Sequence, residues 1–195
     1  MKKTTYRFFG GLTASQERWL NKMAASGYRL IRTEKLLYEF EPCAPGAYQY
    51  CVEYIGHKAK ASAEDYVSFL QDCGYRVFYK NINLNWNVGK VELRPWAEPG
   101  GRVATNATTF GRELLIVERE SRGKPFALHT TYEDKREYYK ALQRPWVFLL
   151  IVSALLALAL RQMAWGLLGA VSLVGVILFQ RELRRLKKQS EIKES

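Results

Sequence analysis

The sequence predicts an α+β protein: a ferredoxin-like βαββαβ sandwich with a β-rich extension, followed by a two-helix transmembrane hairpin. Three observations carry that expectation. A helix-to-strand unit recurs within the first 84 residues. Two alternating aromatic stretches flank a proline- and glycine-rich turn. Residues 145–179 are almost wholly apolar, with Arg161 their only charge.

Thr13-Ala14-Ser15-Gln16 has the form of a capping box, in which the threonine and the glutamine satisfy each other's backbone N–H. Trp19, Leu20, Met23 and Ala24 follow at helical spacing, and Gly27 stops the helix. Tyr28-Arg29-Leu30-Ile31 then starts a strand. A second helix is expected from about Ser62, with Tyr66, Phe69, Leu70 and Cys73 on one face and Gly74 as its stop, before Tyr75-Arg76-Val77-Phe78. Helix, stop and strand thus repeat at an offset of 47 residues. Between the helices, Leu36, Tyr38 and Phe40 alternate with polar residues, as do Tyr48, Tyr50, Val52 and Tyr54. Pro42–Gly46 joins them as a predicted hairpin. With an opening strand at Thr5–Phe9, this gives the βαββαβ order over residues 1–84.

Residues 85–143 read as the extension. Val91–Trp96 is β-like, and Glu113–Val117 is a buried-strand run. Ser121–Lys124 turns it into Pro125–Thr130 as a second hairpin. Thr131 with Asp134 caps a juxtamembrane helix. The apolar run occupies residues 144–180. As one straight helix, Pro145–Phe179 would be ~52 Å long at ~1.5 Å per residue, well beyond a ~30 Å hydrocarbon core. A break at Arg161-Gln162 gives two short spans and lets Arg161 snorkel to the far interface. Trp146 and Trp165 are the expected interfacial aromatics. Lys135, Arg136, Lys140 and Arg144 precede the first span, and Arg181, Arg184, Arg185, Lys187 and Lys188 follow the second. This distribution puts both ends on the cytoplasmic side of a cell membrane. Residues 181–195 are then a basic cytoplasmic tail. Neither span carries an acidic residue, which argues against an ion or proton pathway. Gly166 and Ala170 have the spacing of a close helix contact, within the hairpin or with another membrane protein or second copy.

The net charge is +11. Because the cations flank the apolar run, anionic lipid is the simpler partner, and no nucleic acid is expected. Cys43, Cys51 and Cys73 form no CxxC pair, and with two histidines they indicate neither a disulfide framework nor a metal site. No nucleophile elbow, HExxH, EF-hand loop or Walker motif occurs. His57, His129 and an acidic group of Glu39, Glu41 and Glu53 have plainer readings as surface residues. Gly100-Gly101-Arg102 with the polar residues after it could cradle an anion, but no strand–loop–helix motif surrounds it. The tyrosine stripes are core, or a contact surface in which Tyr38, Tyr50, Tyr54 and Arg102 bind a ligand.

Glu17–Leu30, Tyr38–Ile55 and Tyr66–Val77 resemble the bacterial family known as domain of unknown function 2812, as does Gly123–Leu142. The resemblance spans residues 6–143. It implies membrane-anchored members, mostly from Firmicutes, often encoded beside PadR-type transcription regulators, with no established activity. The stretch around residues 88–120 departs from the shorter members. The expected function is therefore a non-enzymatic, membrane-anchored regulatory module that needs no cofactor and binds a protein partner, such as a transcription regulator or membrane complex. A second copy of itself is another candidate partner. A small-ligand sensor, with a pocket between the sheet and residues 85–130, is the alternative; an enzyme using His57 or Arg102 is the third.

Overall fold

The computed structural model describes residues 2–56, 60–82, 84, 86–88, 91–93, 103–104, 112–122, 126, 128, 132–160 and 163–194. They fall into two units: residues 1–92 with 104–130, and residues 93–103 with 131–195.

The first unit holds two antiparallel sheets of three strands. Its elements begin β1 (Lys3–Tyr6), α1 (Thr13–Ala25), β2 (Tyr28–Thr33) and β3 (Leu37–Pro42). They continue with β4 (Tyr48–Tyr54), α2 (Lys60–Asp72) and β5 (Arg76–Lys80), and β9 (Leu114–Glu120) comes later in the chain. The first sheet has the order β1-β3-β2 and the second β4-β9-β5. In each, two strands joined through a helix run parallel to one another, with an antiparallel strand inserted between them. The two sheets are thus built on one plan. The offset of 47 residues that relates α1–β2 to α2–β5 also carries Lys3–Tyr6 into β4. A third, smaller sheet has the order β6-β7-β8, from Trp86–Val88, Val91–Leu93 and Val103–Ala104.

Both helix stops are where the sequence puts them. Gly27 and Gly74 have φ of +81° and +82°, the left-handed conformation that closes a helix without a Cβ clash. The capping box does not form. Leu12 is the N-cap and makes no side-chain cap bond. Gln16 is buried instead, and its amide donates to the Tyr38 hydroxyl at 3.0 Å. The opening strand lies two residues earlier than expected, at Lys3–Tyr6.

The hairpin expected between Leu36–Phe40 and Tyr48–Tyr54 is replaced by a change of sheet. Both edges of β3 are taken, one by β1 and one by β2, so β4 must pair elsewhere. Pro42–Gly46 is still a turn, but its backbone docks on the end of α1. Cys43 N–H donates to Gly27 O and Gly46 N–H to Ala24 O, each at 2.9 Å. The strand that meets β4 is β9, the apolar run read as part of the extension, and β9 separates β4 from β5. The hairpin predicted from β9 to Pro125–Thr130 lies mostly outside the described residues.

Two cores explain why β9 is apolar without alternation. On one face of the second sheet, Tyr50, Val52 and Ile116 join Leu20, Met23 and Ala24 of α1 and Leu30, Tyr38 and Phe40 of the first sheet. On the other, Leu115 and Val117 pack with Ile55 and with Val67 and Leu70 of α2. A strand covered on both faces reads as a continuous apolar run. The tyrosine stripe is therefore core at Tyr38 and Tyr50, each 1% exposed.

The second unit is dominated by α3 (Tyr132–Leu160) and α4 (Met163–Glu194). α3 continues through Pro145, so the expected juxtamembrane helix and first span are one element. α4 likewise continues through the basic tail. Lys135–Leu160 and Met163–Lys188 are long and apolar enough to cross a membrane, with mean hydropathies of 1.8 and 1.9. Phe148, Leu155, Leu158, Leu167 and Val171 are all more than half exposed. Apolar surface so extensive is unusual on a protein facing water. Between the helices, Gln143 donates to Val176 O at 3.2 Å and to Gln180 Oε1 at 3.0 Å. Gly175 faces the Trp146 indole so closely that a Cβ there would enter the ring, and Gly169 sits against Ser153. Between α3 and α4 the contact glycines are these two. Gly166 opens onto empty space, and Ala170 is exposed.

Candidate functional site

The first unit carries an open groove of about 600 Å³ between β1 and one side of α1. Lys3 and Arg7 line it from the β1 segment. Ser15, Arg18, Lys22 and Ser26 line it from α1, with Trp19 and Met23 as its apolar floor. Helical spacing of three and four residues places the α1 set in one stripe. On β1, Lys3 lies opposite Phe40 and Thr5 opposite Tyr38. Both partners are buried in the core with α1, so Lys3, Thr5 and Arg7 share the α1-facing side of the strand.

Aromatic rings and backbone oxygens hold the cations in place. The Arg7 guanidinium lies 5.1 Å from the Phe9 ring and 5.2 Å from the Trp19 ring, and Lys3 Nζ is 4.6 Å from the Tyr28 ring. Contacts with aromatic faces orient a cation yet leave its charge available. Arg18 donates to Ala14 O and to Ser15 Oγ, both at 3.2 Å, which steers it along the groove. None of the eight lining residues is acidic. Glu17, the carboxylate of α1, turns to the other side of the helix and accepts from Val52 N–H at 2.9 Å. The groove can hold an anion; its lining contains no histidine, cysteine or carboxylate to act as a general base.

Elsewhere in the unit the charges are internal. Glu118 is 2% exposed. Its Oε1 accepts from Arg29 Nε and Nη2 at 2.9 and 2.8 Å, and its Oε2 accepts from the Tyr50 hydroxyl at 2.7 Å. Tyr50 in turn accepts from Leu30 N–H at 2.8 Å. This network ties β2 to β4 and β9. Burial, with the Glu118 charge, pushes the Tyr50 phenol well above its usual range. Glu53 is also buried and accepts from the Tyr66 hydroxyl at 2.7 Å. It does not share a solvated face with Glu39 and Glu41, which lie on β3 in the other sheet. Lys80 is 2% exposed, donates to Glu34 O and lies 4.0 Å from the Tyr38 ring. Burial lowers its pKa to about 7. Burial raises the Cys43 thiol, which leaves little thiolate at neutral pH. Among the described residues, no three His, Cys, Asp or Glu side chains group as metal ligands.

Of the ligand set singled out from the sequence, only the three tyrosines are among the described residues. Tyr38 and Tyr50 lie in the core with engaged hydroxyls, and Tyr54 is half-buried beside Gly56. Arg102, His57, His129 and Arg161 lie outside the described residues, as does most of the proposed sensor pocket. Of the membrane-interface set, Trp146 packs against Gly175 of the paired helix, and the Trp165 indole nitrogen is buried. Arg181 and Arg184 are exposed, and Arg185 pairs with Glu182 at 3.0 Å. The groove cations escaped sequence reading because Lys3 and Arg7 meet Arg18 and Lys22 only in the fold. The available signal was the pair Arg18 and Lys22, one turn apart on an otherwise amphipathic helix.

These features define a class: a two-sheet α+β domain with a cationic groove, in a chain that also carries a long apolar helix pair. Residues 13–151 match the family described as Protein of unknown function (DUF2812), and the chain belongs to that family. No curated protein and no solved structure matches it.

Proposed function

We propose that this protein is a non-catalytic, membrane-anchored regulatory module that binds an acidic segment of a partner protein in the groove between β1 and α1. The observation that carries the reading is a cleft lined by Lys3, Arg7, Arg18 and Lys22 with no acid among its lining residues. Exposed ion pairs contribute roughly 0.2–1 kcal/mol each, so four of them reach about millimolar affinity at best. The groove needs either a multiply charged segment or further contacts, and its affinity falls steeply with salt.

The exposed apolar helices support an anchor that crosses the cell membrane twice. The cationic flanks support cytoplasmic ends, and on that reading the groove is open to cytoplasmic proteins. The split β-α-β plan of each sheet supports reading each half as a ferredoxin-like fragment. The test is a photo-crosslinking residue placed at Lys22 in the full chain in cells. Adducts should carry acidic segments and disappear when Arg7 and Arg18 are changed to glutamate. Adducts that persist in that double variant would exclude the groove as the binding site.

A further inference from the structure

β1 is an edge strand with nothing bonded to its outer side among the described residues. Arg7 N–H donates to Leu36 O at 2.9 Å, and this fixes the phase of the β1–β3 ladder. Lys3 and Thr5 turn their backbone groups toward β3, whereas Thr4 and Tyr6 turn theirs outward. Tyr6 is 74% exposed and Phe8 59%.

The corresponding edge in the second sheet is closed. β4 stands at the same place in its sheet, and α1 covers its outer side. Asn21 Nδ2 donates to Tyr50 O at 2.8 Å and Asn21 Oδ1 accepts from Tyr50 N–H at 2.9 Å, while Glu17 accepts from Val52 N–H. One edge is filled by side chains that mimic a strand; the other is open beside a groove of cations. Open edges template strand pairing unless they are blunted.

We infer that the acidic segment binds as an added strand on β1, with its carboxylates on the α1-facing side. This rests on the acid-binding reading of the groove. Only a polypeptide offers alternating N–H and C=O groups to Thr4 and Tyr6; a lipid headgroup or a nucleic acid backbone offers neither in that pattern. A strand also presents every second side chain to one face. An acidic residue at alternate positions therefore meets Lys3 and Arg7 along the strand and Arg18 and Lys22 across the groove.

The test uses the full chain in phosphatidylcholine nanodiscs and a fluorescent (Glu-Thr)₅ peptide, followed by anisotropy. A second peptide of the same sequence carries methyl groups on its backbone nitrogens, which keeps the charge and removes the N–H donors. Expected is at least tenfold weaker binding of the methylated peptide, and at least fivefold weaker binding of the unmodified peptide to Tyr6→Pro. Arg18→Glu with Lys22→Glu should also weaken it at least tenfold. Equal binding of both peptides to the unaltered protein overturns strand addition and leaves the acid-binding groove standing. Absence of binding by either peptide, with groove-dependent capture of phosphatidylglycerol vesicles, overturns both. The methylated peptide decides the matter even if Tyr6→Pro does not fold.

Discussion

The β1-β3-β2 and β4-β9-β5 sheets share one plan and differ in what surrounds them. The first sheet keeps its charges near solvent: Arg32 pairs with Glu34, Arg29 lies 3.9 Å from Glu41, and β1 is open among the described residues. The second is covered on both faces and encloses Glu53, Lys80 and Glu118, each under 7% exposed. Its β4 edge is closed by α1. A repeated plan has given one sheet an enclosed place in the domain and left the other, among the described residues, with an uncovered edge beside exposed cations. A buried charge without its partner is costly, whereas an exposed edge tolerates change. The contrast is therefore measurable as stability against binding.

The largest expected effect is on the enclosed side. Arg29→Ala strips Glu118 of both guanidinium bonds and should destabilise the domain by about 3 kcal/mol, read from urea unfolding of the full chain in detergent. A change within error would mean that the network is incidental. Next is the closed edge. Asn21→Ala leaves Tyr50 N–H and C=O without their partners and should cost roughly 1–3 kcal/mol. If Asn21→Ala is silent, the distinction between the two edges fails.

A subtler test uses pH. Unfolded Lys80 titrates near 10.5 and folded Lys80 near 7, so the unfolded state binds more protons between those values. Stability should therefore rise as pH increases from about 7 toward 10. Above 10 it should fall, because Tyr38, Tyr50 and Tyr66 ionise more readily unfolded than folded. Lys80→Met should flatten the rising limb, leaving Glu34 O and the Tyr38 ring without their ammonium. A rising limb that survives in the variant would assign it to another group. The smallest effect belongs to the open edge. Tyr6→Pro removes an outward N–H and should shift stability by less than about 0.5 kcal/mol, since proline is at home on edge strands.

Much of this was legible in the sequence, where the signal was local. Gly27 and Gly74 stop their helices, the repeat offset holds, and the apolar run forms two helices. Pairing partners were not legible. Alternation at Leu36–Phe40 and Tyr48–Tyr54 says that both are strands and says nothing about which edge each meets. Glu53 looked solvated because its neighbours alternate, yet the second sheet is covered on both faces. Gln16 looked like a capping residue, but it serves a buried tyrosine. The groove was invisible because its two halves lie on different elements. Within the hairpin the close contacts fall to Gly169 and Gly175, while Gly166 and Ala170 lie on its outer surface, where only another membrane protein or a second copy could meet them.

The inserted strand has a consequence for how the domain is made. β3 follows β2 almost at once, so the first sheet completes from neighbouring chain. β9 is the middle of the second sheet, and it arrives only after the whole stretch from Asn81 to Glu113 has been synthesised. Until then β4 and β5 have no common partner, and the inner edge of each is bare. Pairing across such a separation is slow to nucleate and vulnerable to misassociation. α1 already holds the outer side of β4 through Asn21 and Glu17, so the waiting strand is offered to β9 on one side only.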